Sequence, residues 1–138
     1  MRHAYIIAQI LMALSVQAAA AASPSEACLA EAKAWFNSNH PKSTQTLKSG
    51  ATIEVQYTAH YIGSVSRCFV RRDLTMTSAS KSLSMSNSAV VEMNGGKTKL
   101  IAKLALSGAT AIRQCELDGR KCQSAKEWEA FVSALLKK

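Results

Sequence analysis

Apolar and polar positions along this chain follow two rhythms, and the switch between them divides it into helix, sheet and helix. After Ser23-Pro24, residues Cys28, Leu29, Ala32, Trp35 and Phe36 recur at helical spacing and make one apolar stripe. Ser23 suits the N-cap, and Pro24 the first helical position, where its missing amide hydrogen has no intrahelical partner to lose. Asn37–Pro41 should end this helix, and Lys42–Gly50 reads as a polar connection.

From Thr52 the period becomes two. Ile53, Val55, Tyr57, Ala59 and Tyr61 point one way, while Thr52, Glu54, Gln56, Thr58 and His60 point the other. That pattern predicts a half-buried strand, turned back at Gly63-Ser64. On the next run Cys68, Val70, Leu74 and Met76 share a face that Arg72 interrupts, with Arg67, Phe69, Arg71 and Asp73 opposite. Thr77–Ser88 is dominated by Ser and Thr, and reads as a loop passing into a weak edge strand through Leu83 and Met85. Val90–Met93 and Thr98–Leu106 flank Asn94-Gly95-Gly96, a hairpin signal. Here Leu100, Ala102, Leu104 and Leu106 are expected to face inward, and Lys97, Lys99 and Lys103 outward together with Ile101.

A second hairpin is expected at Asp118-Gly119, pairing Leu117 with Arg120, Glu116 with Lys121 and Cys115 with Cys122. Ser124 and Glu127 form a capping box ahead of Trp128, Phe131, Val132, Leu135 and Leu136, which fall at helical spacing. The whole predicts an α+β domain: a mainly antiparallel sheet of about four to six strands with an N-terminal and a C-terminal amphipathic helix, one sheet face covered and one wet.

The first residues change the setting. Arg2 and His3, an apolar run over residues 4–16 and a small-residue stretch over 18–23 make a secretory leader, with cleavage expected after Ala20 or Ala22. The run is too short to span a bilayer comfortably. The expected organisation is a signal peptide over 1–22 and a single mature domain over 23–138, periplasmic or secreted. Four Cys in an oxidising compartment then imply two disulfides rather than a zinc site, for which no C-x-x-C or H-x-x-x-H spacing exists. The hairpin register sets Cys115 against Cys122, and exclusion leaves Cys28 with Cys68, a bridge from helix to sheet.

Candidate chemistry is sparse. The mature chain holds only His40 and His60, and no nucleophile elbow, H-E-x-x-H or phosphate-cradling glycine loop. An enzyme built here would use His60 with Tyr57 or Tyr61. Met76, Met85 and Met93 are better read as core than as a soft-metal site, and no cofactor is implied. Charge has more to say: 17 Lys and Arg against 9 Asp and Glu give a formal net charge of +8. If their strands share one wet face, Arg67, Arg71, Lys97, Lys99 and Lys103 gather there beside exposed Phe69 and Ile101. Such a surface would attract an anionic envelope polymer, lipid headgroups or an acidic protein, or merely keep the domain soluble. Nucleic acid fits the charge but not the compartment, and a basic chain is a poor inhibitor of hydrolases that are often basic themselves.

The strand Tyr57-Thr58-Ala59-His60-Tyr61 followed by Arg67-Cys68-Phe69-Val70, with Cys115–Cys122, Ser124 and the helix Glu127–Phe131, resembles a group of small exported proteobacterial proteins. They share a Tyr-x-x-His-Tyr strand, a Cys-Phe pair and a C-terminal Cys…Cys-x-Ser helix region. Members commonly carry Asn after His-Tyr, where this chain has Ile62. The resemblance implies export and disulfides, and brings no activity with it.

Overall fold

The structure is a computed structural model that describes residues 20–137; the leader expected over residues 1–22 falls almost wholly outside them, as does Lys138. In chain order the elements are α1 (Pro24–Asn39), β1 (Thr44–Thr46), β2 (Thr52–Ile62), a 3₁₀ turn (Gly63–Val65), β3 (Arg67–Thr77), β4 (Ser84–Asn94), β5 (Lys97–Ser107), β6 (Ala111–Leu117), β7 (Arg120–Lys121) and α2 (Ala125–Leu136). Each strand pairs antiparallel with the next, so one seven-stranded meander holds them in sequence order. The expected α+β architecture is present, with seven strands where the alternation suggested about four to six. No helix among the described residues is long and apolar enough to cross a membrane.

Local chemistry sets the element ends. The Ser23 side chain accepts from the Glu26 amide and Glu26 accepts from the Ser23 amide, a reciprocal capping box that Pro24 completes at the start of α1. At α2 the Ser124 hydroxyl caps the Glu127 amide, while the Glu127 carboxylate reaches back to the Gln123 amide. Gly95 and Gly96, and likewise Asp118 and Gly119, all take positive φ, which gives the two hairpins the turn hand that matches strand twist.

The helices lie on opposite faces of the sheet, which corrects the expectation of one covered and one wet face. Adjacent β3 residues make this plain: Cys68 and Val70 pack with Cys28 and Ala32 of α1, whereas Phe69 packs with Trp128 and Val132 of α2. Alternation sends neighbours to opposite sides, so both sides of the sheet carry a core. Leu29, counted in the α1 stripe by spacing, is instead 54 % exposed, because the buried line runs Cys28, Ala32, Phe36.

Three further expectations are corrected. The Ser-rich stretch supplies β4, a full central strand between β3 and β5 rather than a weak edge. Thr44–Thr46, expected as connection, is a short fully exposed edge strand on β2. In β5 a bulge shifts the register, so that Val91 faces Leu100 but Val90 faces Ala102. The extra residue, Ile101, turns into the α2-side core, while Leu100 is left 47 % exposed. Lys103, paired with Ala89, is carried to the α1 side.

Both disulfides join the expected partners. Cys28–Cys68 spans 5.5 Å between Cα atoms and pins α1 to β3; Cys115–Cys122 spans 5.1 Å and closes the last hairpin. The sequence separations are 40 and 7 residues. Chain-entropy arguments give the long loop roughly 4 kcal/mol and the short one roughly 2.5 kcal/mol. Urea unfolding should therefore show Cys28→Ser losing more stability than Cys122→Ser. An equal or reversed loss would mean that α1 is held by packing alone.

Candidate functional site

The five cations expected on one face do not gather. Arg67 makes a bidentate pair with Glu92, at 2.6 Å to each carboxylate oxygen, and its guanidinium lies 4.9 Å from the Phe69 ring centre. Arg71 is shared between Asp73, at 3.0 Å, and Glu129 of α2, also at 3.0 Å, and caps the face of Trp128 at 5.2 Å. Ser88 donates to Asp73 and completes the network. Lys99 sits opposite Glu92, Lys97 lies at the hairpin end, and Lys103 is on the other face. Phe69 and Ile101, expected to be exposed, are buried beneath α2. These corrections have separate causes: Glu92, Asp73 and Glu129 answer Arg67 and Arg71, α2 covers Phe69 and Ile101, and the β5 bulge turns Lys103 to the other face.

His60 does not meet its proposed partners either. It lies on the α2 side, in a shallow recess with Thr58, Arg71, Asp73 and the C-terminal turns of α2. Tyr57 and Tyr61 point to the α1 side, where Tyr57 stacks on Phe36 with ring centres 4.4 Å apart. No hydrogen bond is made to the His60 side chain among the described residues. Burial, and then the Arg71 charge, push its pKa below the ordinary histidine value. The methionines do not converge: Met76 and Met85 face each other across β3 and β4, but Met93 is eight residues further along β4, about 27 Å away. Among the described residues no group of His, Cys, Asp or Glu is arranged to hold a metal ion.

What the fold does build is a groove on the α1 side. Helix α1 packs over β2, β3 and the Val91–Met93 end of β4, and leaves the rest of that face open. Beyond Trp35 the surface is floored by Leu74 and Met76 of β3, Met85, Ala89 and Val91 of β4, and Leu100 and Ala105 of β5. It encloses about 540 Å³, within the usual range of small-molecule sites. Three cations border it, Arg72, Lys103 and Arg113, and no carboxylate does.

The register arranges two of these cations. Arg72 pairs with Ala89, and Ala89 with Lys103, so the two cations lie in one cross-strand row with the smallest side chain between them. Two strand spacings separate their backbones by about 10 Å, within reach of both long side chains. Arg72 donates through Nη2 to Asn87 Oδ1, but its Nε is buried without any partner. Burial lowers the Arg72 pKa from its usual value, partly offset by Asp73. A guanidinium stays protonated even so, leaving a half-buried cation with no salt bridge among the described residues.

Arg113 and Trp35 were not singled out in the sequence as site residues. Arg72 carried a legible signal, since it breaks an otherwise apolar strand face. Nothing comparable marks Arg113, whose place depends on a second register shift between Ala105 and Leu106. No protein-family model, curated protein or solved structure matches this chain. The functional reading therefore rests on this geometry.

Two measurements check the electrostatics. The pKa values of His40 and His60 are both lowered, by burial first and then by Arg72 and Arg71 respectively. As pH falls below about 6.5 the unfolded chain takes up these protons before the folded one, so stability must drop in that window. The urea midpoint should decline from pH 7 to about 5.5, and the double variant His40→Gln, His60→Gln should flatten the decline. The second concerns Arg71, which bridges sheet and helix. Arg71→Gln should cost about 1–2 kcal/mol, whereas Arg67→Gln, on a more exposed pair, should cost under about 1 kcal/mol in the same assay.

Proposed function

We propose that this chain is an exported, non-enzymatic binding protein whose ligand occupies the α1-side groove and belongs to the anionic components of the cell envelope. The observation that carries this reading is the groove's composition: apolar walls, three cations and no carboxylate. A surface of this kind favours a ligand with both a negative charge and an apolar part over a purely polar polymer or a neutral lipid.

Export is supported by the leader pattern, by two formed disulfides and by the likeness to small exported proteins. The non-enzymatic reading is supported by the separation of His60 from both tyrosines, and by the engagement of Asp73, which shares its recess, with Arg71 and Ser88. The basic sheet face first expected to bind is largely answered by Glu92, Asp73 and Glu129, so the groove is the better locus for the same class of partner.

Titrating isotope-labelled protein with an envelope lipid extract, and in parallel with a soluble anionic envelope polysaccharide, tests this directly. The expected result is amide shifts confined to residues around Trp35, Arg72, Ala89 and Lys103, produced by the lipid extract, with the extract recovered chemically unchanged. Shifts confined to the Lys97–Lys99 hairpin end, or turnover of an extract component, would overturn the reading.

A further inference from the structure

Resting on the reading of the groove as a ligand site, we infer that its occupant is a phosphate monoester on a single apolar chain, of the monoacyl lipid phosphate type. The phosphate sits over Ala89 between Arg72 and Lys103, and the chain runs along β3 and β4 toward Met76 and Met85.

The cross-strand row supplies the head site. Ala89 leaves space on a sheet surface where Arg72 and Lys103 flank it on either side. Arg72 Nε is a buried donor with no acceptor among the described residues, so a guanidinium that turns toward an arriving oxygen satisfies a group the fold leaves unpaired. Arg113 adds a third positive charge at the β5–β6 side. Three cations in a lining without a carboxylate match a dianionic phosphate better than a singly charged carboxylate, and a guanidinium offers phosphate two parallel donors.

The strand register supplies the chain site. The rows beyond Ala89 carry Leu74, then Met76 paired with Met85, both lining the groove. Methionine side chains are unbranched and polarizable, and adapt to a flexible alkyl chain better than branched residues do. In the opposite direction α1 buries Val70 and packs against Val91. The volume of about 540 Å³ suits one chain and its head.

Binding is read by calorimetry with monododecyl phosphate, dodecanoate, dodecanol and inorganic phosphate, all kept below micelle formation. Monododecyl phosphate should bind at least about tenfold more tightly than each of the other three. Arg72→Gln and Lys103→Gln should each weaken it by about tenfold, and Leu100→Glu, at an exposed position that puts a carboxylate on the groove wall, should abolish it with the thermal midpoint unchanged. Equal binding of dodecanoate overturns the phosphate head, and equal binding of dodecanol overturns the charge argument. Binding by inorganic phosphate as tight as by the alkyl ester overturns the chain site. If envelope lipid still shifts the groove amides while monododecyl phosphate fails to bind, the groove remains a ligand site and only this assignment falls.

Discussion

The structure depends on a shortage of cover. Four of its strands are eleven residues long, about 36 Å each, and the sheet they form is apolar on both faces. Among the described residues two helices shield it, of 16 and 12 residues, about 24 and 18 Å in length. A helix is roughly 10 Å across, about two strand spacings, so one helix cannot roof a face this wide. Packing α2 over the β5–β6 side of one face and α1 over β2–β4 of the other uses both helices. The remainder of the α1 face, toward the far ends of β3 and β4 and across to β5, stays open.

The two disulfides and the ion pairs make sense within that constraint. A helix packed on only part of a face has little apolar area to hold it, and α1 buries only Cys28, Ala32 and Phe36. The Cys28–Cys68 bridge and the Gly96 amide donating to Glu31 at 2.6 Å fix it at its N-terminal half. On the other face α2 buries Trp128 and Val132, and Arg71 ties it to β3 through Glu129. Two of the five cations that looked like a basic surface in the sequence, Arg67 and Arg71, are therefore fastening between elements. The net charge is carried by other residues, and its sign alone does not locate a site.

How far the sequence could be read follows from which signals are local. Helix caps, the Asp118-Gly119 turn and the alternation of β2 are decided by neighbouring residues, and they yielded the element types and both disulfide pairs. The β5 bulge is decided by pairing with β4 and β6, so the period-two reading kept Lys103 on the face of Lys97 and Lys99 and parted Ile101 from Ala102. β4 failed for the same reason: Ser86, Asn87 and Ser88 have weak strand character alone. They are held by strands on both sides, with Ser88 bonded to Asp73 and Asn87 to Arg72. The groove was thus illegible as a site, although Arg72, its most informative residue, was visible as a charge where an apolar side chain was due.

That interruption is also the strongest reason to treat the groove as more than uncovered sheet. A leucine at position 72 would continue the apolar face from Val70 to Leu74 and avoid burying a guanidinium nitrogen without an acceptor. A lysine would keep the charge but carry it to water on a flexible stem. Arginine does neither: it stays half-buried, tethered by one bond to Asn87, with its remaining donors free and Lys103 in the same row across Ala89. Folding alone gives no return for that arrangement, since desolvating an unpaired cation is unfavourable. In the inferred complex an anion over Ala89 offsets that cost, which couples Arg72 to the binding of a negatively charged ligand.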